Sequence, residues 1–148
     1  MNIFAKKSWI IFVEFWLPFI IWALVIFSFS ASPTVRTSEI HWQDFVIKKT
    51  VHLVEYFIFS FLLYRALVNS QIGKRNAILY TVIVAFFYGV TDEFHQSYTP
   101  GREPRLRDVM IDTAGSLLFV FFFYRIIPQS SKLIRLAEIF KLKSKKEL

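Results

Sequence analysis

The residues of this chain that could do chemistry lie in three short stretches, each beside a long apolar run. The most charged stretch, "TDEFHQSYTPGREPRLRD", runs from Thr91 to Asp108 and combines carboxylates, a histidine, a glutamine and arginines. The second begins at His52, which Glu55 follows, and the third holds Asp108 and Asp112. Carboxylates and an imidazole can act as general acid and base or ligate a hard divalent cation, while an arginine can bind phosphate.

Helical spacing places these polar residues on three stripes. Residues three and four apart share one face of a helix. The three sets with this spacing are Gly89, Asp92, Glu93 and Gln96; His52, Glu55, Tyr56 and Phe59; and Asp108, Asp112 and Gly115. His95 falls off its stripe. Each set lies at one end of an apolar segment, so we expect the three stripes to meet at one depth.

Four apolar runs provide the elements that must position the stripes. The chain has 148 residues, of which 55% are hydrophobic and 19% aromatic, a composition more typical of membrane proteins than of soluble domains. The runs cover residues 9–30, 51–68, 77–95 and 109–127. Each is long enough to cross about 30 Å of hydrocarbon, and helices satisfy their backbone there. The sequence predicts an all-α, polytopic membrane protein with four transmembrane helices.

The last twenty residues have a different pattern from the four runs. In "SSKLIRLAEIFKLKSKKEL", Leu133, Leu136, Ala137 and Phe140 follow helical spacing among lysines and arginines. This pattern indicates an amphipathic helix on an anionic membrane surface, and a solvated tail is the alternative. We therefore expect a transmembrane domain over residues 1–128 and a basic amphipathic tail over residues 129–148.

The distribution of basic residues predicts the orientation. If the N-terminus is cytoplasmic, the outer loops contain six of the eighteen lysines and arginines, and the excess lies inside as the positive-inside rule requires. Both termini are then cytoplasmic and the three stripes lie at the extracytoplasmic face. The formal net charge of +7 comes from residues flanking apolar spans, which indicates the lipid bilayer as a partner and not nucleic acid.

Acidic residues inside membrane spans need a compensating environment. Glu55, Asp92, Glu93 and Asp112 would together cost on the order of 10 kcal/mol if each faced lipid centrally. They must therefore face one another, water or a cation. One alternative is an ion-paired structural cluster closed by nearby arginines, but buried ion pairs stabilise proteins poorly. A functional site is the favoured interpretation, because ionisable residues within spans are usually functional.

The same stretches resemble a known family. "HLVEYFIFSFLL" and "DEFHQSYTPGREPRLRDVMIDTAGSLL" are similar to the two signature blocks of the VanZ-like membrane proteins, and the resemblance covers roughly residues 27–118. The matching positions are His52, Glu55, Asp92, Glu93, Gln96, Arg102, Asp108, Asp112 and Gly115. Asp112 departs from the pattern, since the family usually has asparagine there. The family is named after a protein that gives bacteria low-level resistance to teicoplanin, a lipid-bearing glycopeptide, so the resemblance implies a role in the cell envelope.

Three classes of function remain open. A binding module would hold a lipid head group, a lipid-linked envelope precursor or a lipoglycopeptide; its ligand-binding residues would be Gln96, Arg102, Arg105 and Asp108. A membrane-embedded enzyme would act on a lipid-linked, phosphate-containing substrate by acid–base or divalent-metal chemistry; its catalytic residues would be His52, Glu55, Asp92, Glu93 and Asp112. A small ion-coupled transporter is the third class. The sequence has no His-Glu-x-x-His, phosphate-loop or Gly-x-Ser-x-Gly motif to support a particular enzyme.

Overall fold

A computed structural model of the chain describes residues 3–31, 40–99 and 105–142. Its helices are α1 (Ile3–Ile11), α2 (Leu17–Ser30), α3 (His41–Asn69), α4 (Lys74–Gln96), α5 (Leu106–Phe121) and α6 (Ser131–Ile139). Four spans are long and apolar enough to cross a membrane: Lys7–Ser30, Trp42–Asn69, Lys74–Gln96 and Leu106–Gln129. The described residues contain no strand. The prediction of an all-α protein with four transmembrane helices is therefore confirmed.

Two of the four spans contain a π-helical turn shortly before a proline. The turn Phe12–Trp16 joins α1 to α2 and precedes Pro18, and the turn Phe122–Ile126 continues α5 and precedes Pro128. Proline has no backbone N–H and clashes with the carbonyl four residues earlier, so a wider turn accommodates it without breaking the helix. Both spans therefore remain continuous through their prolines.

Helix α3 begins ten residues earlier than the apolar run that predicted it. The run starts at residue 51, but the helix starts at His41. The added turns carry an ion pair between Asp44 and Lys48, with 2.7 Å between Lys48 Nζ and Asp44 Oδ2, at the four-residue spacing that stabilises helices. Charged residues interrupt the hydrophobicity of this segment but not its helical structure. The extension brings Lys49 to the end of the bundle where the polar stripes lie.

Aromatic side chains form the core around α3. Tyr56, Phe59 and Tyr64 on α3 are almost completely buried, as is Phe119 on α5, and Phe59 stacks on Tyr88 of α4 with 4.8 Å between ring centroids. The outward faces carry exposed apolar side chains, as surfaces that contact lipid would. The core thus ties α4 and α5 to α3 and fixes the mutual orientation of their polar stripes.

The bundle has two chemically different ends. We call the end where α2 and α4 finish and α3 and α5 begin the polar end, and the opposite end, which α6 covers, the tail end. Helix α6 buries Ala137 and partly buries Leu133 against the core, whereas Leu136 and Phe140 are about half exposed. The predicted apolar face of the tail therefore divides between the bundle and the surroundings, and residues 143–148 lie outside the described residues.

Candidate functional site

Three helices bring the candidate site together at the polar end. Among the described residues, the buried acidic side chains are Asp92 and Glu93 on α4 and Asp112 on α5, with exposed fractions of 2%, 5% and 0%. His52 on α3 faces Asp112. The helical stripes read from the sequence therefore point inward, towards one another.

Asp112 and His52 form a pair between α5 and α3. Asp112 Oδ1 lies 3.2 Å from His52 Nδ1, which orients the imidazole ring and directs its other nitrogen away from the carboxylate. Asp112 Oδ2 is buried and has no hydrogen-bond partner among the described residues. Such a pair resembles the arrangement in which a carboxylate positions a histidine for proton transfer.

The two acids of α4 have different partners. Gln96 Nε2 donates a hydrogen bond of 2.8 Å to Asp92 Oδ2 one turn earlier on the same helix. Glu93 Oε2 accepts a hydrogen bond of 2.8 Å from the backbone N–H of Arg105, just before the N-terminus of α5, where unpaired N–H groups favour a negative charge. Glu93 Oε1 is buried, and no described residue bonds to it.

Two described basic residues at the rim of the cluster, Lys49 and Arg107, lie close to Asp108. Lys49 Nζ lies 2.7 Å from Asp108 Oδ2, and Arg107 Nε lies 3.6 Å from Asp108 Oδ1. The Arg107 guanidinium also lies over the Phe45 ring, 4.7 Å from its centroid. Within the described part of the chain, no arginine side chain contacts Glu93 or Asp112. Among the described residues, therefore, no arginine side chain closes the cluster around these two acids.

The remaining predicted site residues are distributed around this centre. Glu55 is half buried and acts electrostatically on His52, while its backbone carbonyl accepts a 3.0 Å hydrogen bond from Trp22 Nε1. Arg102 lies outside the described residues. His95, off its stripe, stacks on Phe27 of α2 with 3.9 Å between ring centroids.

The acids are close enough to influence one another's charge. Asp92, Asp108 and Asp112 all act electrostatically on Glu93, and Asp92 and Asp108 act on Asp112. Like charges repel strongly in a medium that excludes water. The arrangement therefore favours binding a positive group.

Sequence reasoning missed two contributors to the cluster. Lys49 was assigned to a loop, because the helix carrying it was predicted to begin later. Tyr56 belonged to the α3 stripe but was given no role, although its buried hydroxyl has no hydrogen-bond partner among the described residues. A β-carbon added to Gly89 would lie 3.6 Å from this hydroxyl and 3.4 Å from Asp112 Oδ2. The signal for Tyr56 was its position one turn after His52.

The polar cluster ends within the bundle. One turn below it, the buried hydroxyls of Ser60 and Ser116 face the interior. Beyond them lie Leu63, Tyr64 and Phe119, all buried. In the described ranges, no group of three or more histidine and acidic side chains is arranged to hold a metal ion. Within the described part of the chain, the buried acidic side chains lie at one end of the bundle.

The comparison with known families agrees with the extent of the bundle. The VanZ/LLP1 family matches residues 7–128, which include the first three spans, all but the last residue of the fourth, and every residue of the cluster described above. No curated protein and no solved structure matches the chain. The matched residues therefore cover nearly all of the transmembrane bundle, and α6 follows them in the chain.

Proposed function

Because the chain belongs to the VanZ/LLP1 family, we propose that it is a cell-envelope protein whose polar end binds an envelope component and thereby lowers susceptibility to teicoplanin. The observation that carries the proposal is the pair of buried carboxylates on neighbouring helices, Glu93 and Asp112. Each has one oxygen bound within the protein and one without a partner among the described residues. Structural carboxylates in an apolar bundle would be expected to have both oxygens satisfied.

The proposal assigns the polar end to the extracytoplasmic face of the bacterial membrane and both termini to the cytoplasm. The positive-inside distribution supports this orientation, and lipid head groups, lipid-linked precursors and lipoglycopeptides all meet that face. A ligand held there would alter the access of a lipid-bearing antibiotic to its target. It would have a smaller effect on a glycopeptide without a lipid tail.

The test is susceptibility of a strain expressing the full-length protein. We expect expression to raise the minimum inhibitory concentration of teicoplanin, and Glu93→Gln to return it to that of the vector-only strain at an unchanged amount of membrane protein. Glu138→Gln, the same change at an exposed position of α6, is the matched control and should retain the effect.

Two other outcomes would count against the proposal. If Glu93→Gln removes the protein from the membrane rather than its effect, the acid has a structural role. If the strain expressing Glu93→Gln remains as resistant as the strain expressing the unaltered protein, the carboxylate is not required.

The His52–Asp112 pair favours a second candidate, an acid–base enzyme acting on a lipid-linked, phosphate-containing substrate. In this role His52 would take or give the proton, while Asp112 would orient the ring and stabilise its charged form. Purified protein should then release phosphate from a polyprenyl phosphate, and His52→Gln should abolish the release. Absence of turnover in the unaltered protein would leave the binding function alone.

A further inference from the structure

We propose that the polar-end site recognises a protonated primary amine on a head group that also carries phosphate, with the amine against Asp112 and Glu93 and the phosphate at the rim. This inference rests on the proposed function and names the ligand class of the same site.

The interior of the site has more acceptors than donors. Glu93 Oε1 and Asp112 Oδ2 are buried acceptors without a donor in the described part of the chain, and the Tyr56 hydroxyl, which can accept or donate, is also without a partner there. Burial of carboxylate oxygens without donors is unfavourable. A ligand that brings donors and positive charge would remove this cost, whereas a phosphate would add acceptors and negative charge.

A primary ammonium group matches these requirements better than other organic cations. It has three N–H donors around a compact positive charge, enough for two carboxylate oxygens and a hydroxyl. A trimethylammonium group has the same charge but no N–H, and proteins recognise it with aromatic faces instead. The site should therefore distinguish an ethanolamine head group from a choline head group.

Gly89 faces two of the atoms that have no partner among the described residues, Asp112 Oδ2 and the Tyr56 hydroxyl. An added β-carbon there would be 3.4 Å from Asp112 Oδ2 and 3.6 Å from the Tyr56 hydroxyl, which are ordinary contact distances. Alanine at this position would therefore fit sterically but would place a methyl group, which donates no hydrogen bond, against these two atoms.

Arg107 provides the complementary charge at the rim. Its side chain is 52% exposed, close to Asp108, which Lys49 already neutralises. A guanidinium held over the Phe45 ring can bind phosphate oxygens in a fixed orientation. The site therefore has negative charge inside and positive charge at the rim. A phosphoethanolamine group that enters with its amine first has the complementary charge arrangement.

The experiment measures binding of short-chain phospholipids to the full-length protein in detergent by microscale thermophoresis. The ethanolamine lipid should bind about tenfold more tightly than the choline lipid with the same acyl chains, the ratio expected from loss of charge-assisted hydrogen bonds. Equal affinities would overturn the inference. Glycerophosphoethanolamine, which lacks acyl chains, separates the two sources of the amine: weaker binding than the lipid indicates a membrane head group, and equal binding indicates a soluble amine.

Two glycine variants make the test independent of folding. Gly89→Ala should reduce the ethanolamine preference about tenfold by placing a methyl group against Asp112 Oδ2, while Gly73→Ala, where an added β-carbon meets nothing within 4 Å, should retain it. Unchanged preference in Gly89→Ala would overturn the assignment of the amine to Asp112. If the protein prefers the ethanolamine lipid but does not affect teicoplanin susceptibility, only the proposed function is refuted. If Glu93→Gln abolishes the teicoplanin effect but the unaltered protein binds both lipids equally, only this inference is refuted.

Discussion

At the scale of single residues, Gly115 determines how closely α5 approaches α3. A β-carbon at this position would lie 2.4 Å from the Leu53 carbonyl oxygen and 3.1 Å from Tyr56 Cβ, distances at which one backbone must move. Small residues at such crossings let helix backbones approach in membrane proteins. The contact between Asp112 and His52, one turn nearer the polar end, depends on this close approach.

We therefore expect Gly115→Ala to destabilise the bundle by about 1–3 kcal/mol, the usual cost of overpacking, and to separate His52 from Asp112. Unfolding of the purified protein in mixed detergent micelles would measure the change. The control is Gly73→Ala, which changes the same residue type in open space. Equal stability of the two variants would contradict the close packing at Gly115.

Replacement of the buried acids by glutamine or asparagine tests whether their charge stabilises the fold. Since Glu93 Oε1 and Asp112 Oδ2 have no donor in the described ranges, removing their charge should cost little stability. Asp112→Asn also places at this position the residue that the VanZ-like family usually has there. We expect Asp112→Asn to reach the membrane in normal amounts, as measured by immunoblotting of membrane fractions, and a large loss of protein would show that the charge stabilises the fold.

At the scale of elements, Arg65 connects three segments at the tail end. Its Nε donates a 2.7 Å hydrogen bond to the Phe140 carbonyl, directly after α6, and its Nη1 donates one of 3.3 Å to the Glu14 carbonyl. Pro18 has no backbone N–H to donate to the Glu14 carbonyl four residues earlier. The Arg65 guanidinium donates a hydrogen bond to this carbonyl instead. Glu14 itself pairs with Lys141, which adds a second connection between the first span and the segment after α6.

Arg65→Met should release α6 from the bundle while the four spans remain folded. Hydrogen bonds to a charged group are worth about 1.5–3 kcal/mol each, so amides of residues 131–142 should exchange hydrogen at least about tenfold faster. Arg75→Met, the same substitution at an exposed position of α4, should leave their exchange unchanged. Protection of α6 as strong in Arg65→Met as in the unaltered protein would show that the remaining contacts, including the Glu14–Lys141 pair and the packing of Ala137, are sufficient.

At the scale of the whole molecule, the fold places two unlike chemistries at opposite ends of one bundle. The polar end contains the buried acids, and the tail end contains the ion pairs of Glu14 with α3 and with the segment after α6. Aromatic and aliphatic side chains such as Phe59, Phe119 and Tyr64 fill the space between the ends. The biological meaning of the site therefore depends on which end faces outward.

The orientation can be tested with single cysteines, because the chain has none of its own. Ser97 and Asn76 are exposed and lie at opposite ends of the α4 span. In intact cells, Ser97→Cys should react with a membrane-impermeant maleimide and Asn76→Cys should react only after the cells are permeabilised. The reverse pattern would assign the site to the cytoplasmic side and remove the basis for an extracellular ligand.

The sequence by itself determined the number of spans, their helical nature and the faces that carry polar groups. These follow from properties of single segments: the length needed to cross hydrocarbon and the three-to-four-residue spacing of a helix face. Asp92, Glu93 and Gln96 illustrate the result, since spacing alone grouped them and the structure buries all three. The sequence motifs also indicated the family, and the residues of these motifs lie within the matched residues 7–128.

Only the tertiary structure decided which atoms meet. It pairs His52 with Asp112 and Lys49 with Asp108, and it bonds Glu93 Oε2 to the backbone N–H of Arg105 rather than to its guanidinium. These contacts depend on the rotation of each helix about its axis and on the separation set at Gly115, and both are fixed jointly by the packing of neighbouring helices. A periodic pattern in one segment predicts the direction of a face but not the atom opposite it. The sequence therefore could not show that Glu93 Oε1 and Asp112 Oδ2 have no hydrogen-bond partner among the described residues.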